Sequence, residues 1–132
     1  MISREQMFEP LLKADPSFIG AWNDFLTEWK GKPDLPIYVA LSELGRHLIS
    51  NLAAGDTSRF PAIFGVIEQW HTQGDAYVKE AATIGLLENL QNTGVHDTTS
   101  PDQFLPWLGP QSMRWWNKVK TFWRDGTIIR DD

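Results

Sequence analysis

The chain has 132 residues, and twelve Lys or Arg against seventeen Asp or Glu give it a net charge of −5 at pH 7. This length predicts one domain (1–132), and 42% hydrophobic with 22% charged residues excludes a disordered or fibrous chain. The absence of cysteine excludes disulfides and thiolate metal sites, and the acidic balance argues against nucleic acid or anionic membranes as partners. No apolar run approaches the ~20 residues that span a bilayer, so we expect a cytoplasmic protein.

Residues 1–31 are predicted to form an N-terminal helix pair. Ser3 and Gln6 have the spacing of a capping box, and Asp15 before Pro16 is typical of an N-cap followed by a first-turn proline. The second helix carries an apolar stripe at helical spacing, made of Phe18, Ile19, Trp22, Phe25, Leu26 and Trp29. It is expected to end at the Gly-Lys-Pro that follows.

Residues 36–92 are predicted to form three central helices. The first follows a Pro-Asp-Leu-Pro break and ends at Gly55, and the second is capped by Asp56 or Thr57 and ends near Gly74. Both carry apolar faces at helical spacing: Ile37, Leu41, Leu44, Leu48 and Leu52 in the first, and Phe60, Ile63, Phe64, Ile67 and Trp70 in the second.

The third of these, residues 76–91 behind an Asp75 cap, is apolar on every side and is therefore expected at the centre of the protein. Its small residues Ala81, Ala82 and Gly85 should let a neighbouring helix approach closely. We predict that side chains from five helices share one core, namely Trp22, Leu44, Phe64, Leu87 and Trp116.

The C-terminal part is predicted to be a loop (93–101), aromatic and basic helical segments (102–124) and a tail (125–132). The last helix begins at Pro110 and ends at an Asp-Gly pair. At about 100° per residue, its apolar residues share one arc and its polar residues the opposite one. The apolar set is Trp115, Trp116, Val119, Phe122 and Trp123, which we interpret as core; the alternative is a stacking platform for bases or sugars.

Two stretches resemble known families. Residues 74–82 with 84–90 resemble the second half of a HEAT-type repeat, in which a capping Asp precedes a helix seated through small residues. This resemblance implies antiparallel, HEAT-like stacking of residues 36–92. A complete array needs three or more repeats, and no convincing earlier copy is present.

The whole chain is similar to a small bacterial family of uncharacterised helical proteins. The resemblance rests on the Gly55-Asp56 turn, on residues 85–92 and above all on the run from Phe104 to Trp116. It implies an all-helical fold and no established activity. Some small acidic bacterial domains are immunity proteins against secreted toxins, which is an analogy of type and setting rather than of motif.

The histidines are the first candidates for chemistry. Glu68 and His71 have the Glu-x-x-His spacing of di-iron bundles, but such sites need two copies and further glutamates. Glu43 and His47 are a second pair at i+4, and His96 lies in the loop with no spacing partner. We therefore expect no metal or cofactor, and we interpret Glu68 and His71 as a partly exposed pair on a helix surface.

The carboxylates and hydroxyls show no catalytic pattern. Glu88 alone lies in an apolar run, where its pKa could be raised; the alternative is that Glu88 and Asn89 mark a solvated edge of their helix. No nucleophile elbow and no glycine-rich phosphate loop is present. We therefore predict that the chain is not an enzyme.

Charge is distributed unevenly along the chain. Residues 1–109 carry seven Lys or Arg against fourteen Asp or Glu, a balance of −7, whereas residues 110–130 carry five against one, a balance of +4. Four basic residues of the last helix are candidates for partner binding: Arg114, Lys118, Lys120 and Arg124. The alternative is that these are solvated charges on a helix packed against the acidic body.

These observations favour a non-catalytic protein–protein interaction domain, for example an immunity protein that binds a toxin. The alternatives are a dimeric regulatory or scaffold domain and an enzyme without a recognisable motif. The first predicts a monomer with a protein partner, the second a homodimer, and the third a pocket with convergent polar groups.

Overall fold

The computed structural model describes residues 1–130, and Asp131 and Asp132 of the predicted tail lie outside the described residues. Over this range the chain forms seven α-helices and no strand, which confirms the prediction of an all-α fold with six or seven helices. The helices are α1 (Phe8–Ala14), α2 (Ile19–Glu28), α3 (Ile37–Ala53), α4 (Phe60–Gln73), α5 (Ala76–Glu80), α6 (Glu88–Gln91) and α7 (Pro110–Asp125). Short 3-10 turns lie at Pro16–Phe18, Thr93–Val95 and Pro101–Trp107. None of the helices in this range has both the length and the apolar composition needed to cross a membrane.

Most predicted helix boundaries are confirmed. Gly31, Gly55 and Gly126 follow α2, α3 and α7 with φ of 83°, 75° and 74°, a left-handed conformation that glycine adopts without strain. The Asp75 carboxylate accepts the Val78 N–H at 2.9 Å and so caps α5 as predicted.

Two predicted helix starts are wrong. α1 begins at Phe8 rather than after Ser3, although one half of the predicted capping box forms, since the Gln6 side chain accepts the Ser3 N–H at 3.1 Å and residues 4–7 make a turn. Ile2 before it pairs in extended form with the α4–α5 junction: its N–H donates to the Gln73 carbonyl at 2.8 Å and its carbonyl accepts the Asp75 N–H at 2.9 Å. α4 begins at Phe60, and neither Asp56 nor Thr57 caps it with a side chain. The Asp56 N–H instead donates to the Asn51 carbonyl at 2.8 Å. Asp56 therefore belongs to the C-terminal cap of α3 rather than to the start of α4.

A central helix runs through α5, a π-helical segment (Ala81–Leu87) and α6 without a break. Its bounds are those predicted, but the wider π winding was not predicted. The π-helical segment packs against α3, α4 and α7, so it lies at the middle of the fold. The predicted close approach is found at Gly85, where an added Cβ would lie 2.7 Å from Leu41 Cδ1 on α3.

Gly85→Ala is expected to destabilise the protein by about 1–3 kcal/mol, because Leu41 is fully buried and cannot yield to the added methyl group. Gly65→Ala is the matched control. Gly65 is an exposed glycine of α4 with open space around it, so its replacement should stabilise the helix by about 0.5–1 kcal/mol. Urea unfolding of both variants measures this contrast, and equal effects would contradict the packing at Gly85.

The buried side chains of the described range form one hydrophobic cluster. Leu44, Phe64, Leu87 and Trp116 belong to it with at most 1% exposure, as predicted. The prediction is wrong for Trp22, which is only partly buried against this cluster because α2 packs at the edge of the fold. Its ring is half-buried and stacks on Phe8 at 4.4 Å.

Candidate functional site

The apolar arc of α7 is buried over its first three turns and exposed at its end. Trp116 and Val119 are fully buried and Trp115 is 9% exposed, whereas Phe122 and Trp123 are 38% and 50% exposed. The interpretation of these last two aromatic residues as core is therefore wrong. Phe122 and Trp123 lie on the same side of α7 as the buried residues. The rest of the protein, however, covers that side only up to about one turn before the end of the helix.

The four basic candidates lie on two flanks of α7. Arg114 and Lys118 lie on one flank, with their charged groups 4.9 and 5.3 Å from the centre of the Trp115 ring. The Lys118 ammonium also donates to the Arg130 carbonyl, which holds the tail against this side of the helix. Lys120 and Arg124 lie on the other flank. The structure therefore does not bring the four side chains together into one basic face.

A groove runs along the second flank, between the end of α7 and the segments that precede it. We call it the C-terminal groove; its volume is about 450 Å³. It is lined by residues 91–93, residues 100–102 and four residues of α7, namely Trp116, Lys120, Trp123 and Arg124. The groove thus combines aromatic rings with two cations.

The polar groups of the groove include both hydrogen-bond donors and acceptors: the Gln91 amide donates to the Trp116 carbonyl at 2.8 Å, and Asn92 Oδ1 accepts the Gly94 N–H at 2.9 Å. Trp116 is fully buried, and its indole N–H has no hydrogen-bond partner among residues 1–130, a feature shared with the indole N–H of Trp29 elsewhere in the fold. The Lys120 ammonium lies 3.4 Å from an Asp102 carboxylate oxygen, and the Arg124 guanidinium 3.3 Å from Asp125. Both pairs are exposed, so each contributes little to stability.

Glu68 does not belong to a surface pair with His71. Its two carboxylate oxygens accept the backbone N–H groups of Gln111 and Ser112 at 2.9 and 2.8 Å, so it caps the first turn of α7 from a neighbouring helix. Burial by itself would raise the pKa of Glu68, but these hydrogen bonds and the Ser112 hydroxyl outweigh it and lower the pKa below its ordinary value. The approach is close: a Cβ on Gly109 would lie 2.6 Å from the carboxylate.

His71 is inside the protein rather than on its surface, with 4% exposure. Its Nδ1 lies 3.0 Å from the Ile67 carbonyl and 3.1 Å from the Ser112 hydroxyl, and its Nε2 lies 3.2 Å from the Thr83 hydroxyl of the π-helical segment. Burial lowers the pKa of His71 to about 4, although the Ile67 carbonyl and Glu68 act in the opposite direction. In the neutral ring, Nδ1–H donates to Ile67 and Nε2 accepts from Thr83, which joins α4 to the central helix.

The other helical pair, Glu43 and His47, is also separated. Glu43 pairs with Arg46, whereas His47 Nε2 lies 2.9 Å from the carboxylate of the fully buried Asp15. Ser17 donates to the same carboxylate through its N–H and its hydroxyl. This cluster therefore links the 3-10 turn at Pro16–Phe18 to α3.

The remaining polar candidates have partners or lie at an edge. His96 bonds to the Thr99 hydroxyl at 2.7 Å and to the Leu90 carbonyl at 2.8 Å. Glu88 is half-buried, and burial raises its pKa. This agrees with the first of the two interpretations of Glu88 given above. Asn89 beside it donates to the Ser42 hydroxyl at 2.8 Å, which ties this edge to α3. Among residues 1–130, no three His, Asp or Glu side chains converge as metal ligands.

Sequence reasoning missed the C-terminal groove and the internal network around His71. The groove joins three segments that are separated along the chain, so no spacing signalled it. For His71, one signal was present: residues 66 and 67 before it and Trp70 beside it are apolar, and all are buried.

A family model described as "Domain of unknown function (DUF7674)" matches residues 8–124. No curated protein and no solved structure matches the chain.

Proposed function

The chain belongs to the DUF7674 family of domains of unknown function, and for it we propose a role as a non-catalytic protein-binding domain that contacts its partner through the C-terminal end of α7. The exposed pair Phe122 and Trp123 carries this proposal. Their rings are 5.9 Å apart and continue the core-facing arc of α7 beyond the body. Tryptophan, tyrosine and arginine are the residue types most enriched among the side chains that contribute most binding energy at protein interfaces.

The buried polar clusters support a binding role over a catalytic one. Ser112 and Asp15 are fully buried, and His71 is nearly so, hence a substrate cannot reach them without opening the core. Their hydrogen bonds join helices to one another, which is a structural use of polar groups. Glu68 is likewise engaged by backbone donors of α7.

The proposal extends to finer points that the sequence favours. These are a cytoplasmic protein of bacterial origin, HEAT-like stacking of the helices in residues 36–92, and a toxin as the bound partner in an immunity-type role. The partner of an immunity protein should arrest growth when expressed alone, and co-expression of this chain should restore it.

Photo-crosslinking tests the contact surface. We expect p-benzoylphenylalanine in place of Trp123 or Phe122 to give one specific crosslinked protein when the variant is expressed in its native host. The same group in place of Asn117, an exposed residue on the solvent side of α7, is the control and should give none. Mass spectrometry of the product then identifies the partner.

Two outcomes contradict the proposal. Equal crosslinking from position 117 shows non-specific contact, and no product from positions 122 and 123 places the contact elsewhere, for example on the acidic body. A crosslink between two copies of this chain favours the homodimeric regulatory or scaffold domain instead.

A further inference from the structure

Helix α2 is packed against the rest of the protein less deeply than α3 and α4. Of its ten residues one is buried, namely Phe25 with 4% exposure, whereas α3 and α4 bury seven residues each. Ile19 is 41% exposed, and Trp22 and Leu26 are only partly buried. A helix with few buried apolar contacts is among the first elements to open when a protein unfolds locally.

A cleft of about 400 Å³ lies between α2 and α1. Phe8 and Leu12 line it on the side of α1, and Ile19 and Trp22 line it on the side of α2. The rings of Phe8 and Trp22 stack at 4.4 Å and join the two helices beside this open space. The interface between α1 and α2 is therefore incompletely packed, which lowers the cost of separating them.

The C-terminal end of α2 carries a buried polar group without a partner. The indole N–H of Trp29 is buried and meets no acceptor among residues 1–130. Such a donor has lost its hydrogen bond to water without gaining another, which disfavours the docked position of the helix. Because the N–H returns to water when α2 moves away, this group favours opening.

Both ends of α2 connect to points that are held on the body. Before the helix, the buried Asp15 carboxylate lies 2.9 Å from His47 Nε2 on α3, and Phe18 is 1% exposed. After it, residues 30–34 are exposed, and the chain is buried again at Ile37, the first residue of α3. Residues 19–36 thus form a segment that is tethered at both ends and can move without unfolding its neighbours.

We propose that α2 is a lid, which undocks from α1 and α3 as a unit while the rest of the chain stays folded. Opening removes Trp22 from the Phe8 ring, which is 3% exposed in the closed form, and so uncovers an apolar surface on α1. This inference concerns the N-terminal helix pair and is independent of the proposed function, whose contact surface lies at the end of α7.

Amide hydrogen exchange of the native protein, resolved by residue with NMR, tests the lid. Relative to their intrinsic rates, the amides of residues 24–28 should exchange at least about tenfold faster than those in the middle of α3 and α4. The control is α1, which is shorter than α2 but buries Phe8 and Leu11. Its amides at residues 12–14 should nevertheless exchange more slowly than those of α2. Protection of α2 equal to that of α3, or one common rate for all helices, would overturn the lid.

Two matched variants test what holds the lid closed. Trp29→Phe keeps a ring and removes the donor without a partner, so exchange in α2 should slow about threefold to tenfold. Trp22→Phe makes the same change at the ring that stacks on Phe8 and should speed exchange in α2 about threefold, because the smaller ring makes less contact. In both variants α2 should still exchange faster than α3. If Trp29→Phe fails to slow the exchange of α2, the role of its N–H in opening is wrong.

Discussion

Leu87→Ala is expected to lower the free energy of unfolding by about 2–5 kcal/mol, because Leu87 is fully buried in the π-helical segment at the middle of the fold. The truncation leaves a cavity among helices that the small residues of this segment hold close together. Val39→Ala is the matched control, since it removes methyl groups from an exposed site on α3 and should change stability by no more than about 0.5 kcal/mol.

Urea or thermal unfolding measures both variants. A loss at Leu87 as small as that at Val39 would contradict the central position of this segment. The loss of stability depends on how far the neighbouring side chains move in to fill the cavity. A loss near 5 kcal/mol would therefore indicate that the helices around Leu87 do not move in.

Acid should destabilise the protein through His71. Its pKa is about 4 in the folded protein against an ordinary value of 6.5, so between these values the unfolded chain binds a proton that the native state does not. Stability is therefore complete above pH 6.5 and falls as the pH drops toward 4. Between about pH 7 and about pH 4.5 the loss from this one group should be about 2–3 kcal/mol.

His71→Gln supplies the comparison. The variant is expected to be less stable at neutral pH, but its stability should fall less steeply with acid than that of the native sequence. The pKa of Glu68 is lowered from 4.5, so its own contribution is lost mainly below that pH and adds little in this interval. Parallel pH profiles of the two proteins would show that His71 is not buried in its neutral form.

The sequence was sufficient for the helices because their signals are local. Asp75 caps α5, glycine ends α2, α3 and α7, and helical spacing marks which faces are apolar. Gly85 could be predicted as a close approach because a residue without a Cβ in an apolar helix has few other uses. At the N-terminus the local Ser3–Gln6 contact forms as its spacing predicted, but the extended pairing of Ile2 with residues more than seventy positions away had no local signal.

Tertiary structure decided everything that depends on where one segment meets another. Periodicity gives the direction of the apolar arc of α7 but not the length of the body beneath it, so the exposure of Phe122 and Trp123 could not be read from the sequence. The Glu68 carboxylate meets backbone donors 43 and 44 residues away, and the C-terminal groove brings together segments separated by a loop. The sequence likewise could not show the π winding of the central helix, because residues 76–91 are apolar on every side and a change in the number of residues per turn leaves no mark on such a pattern.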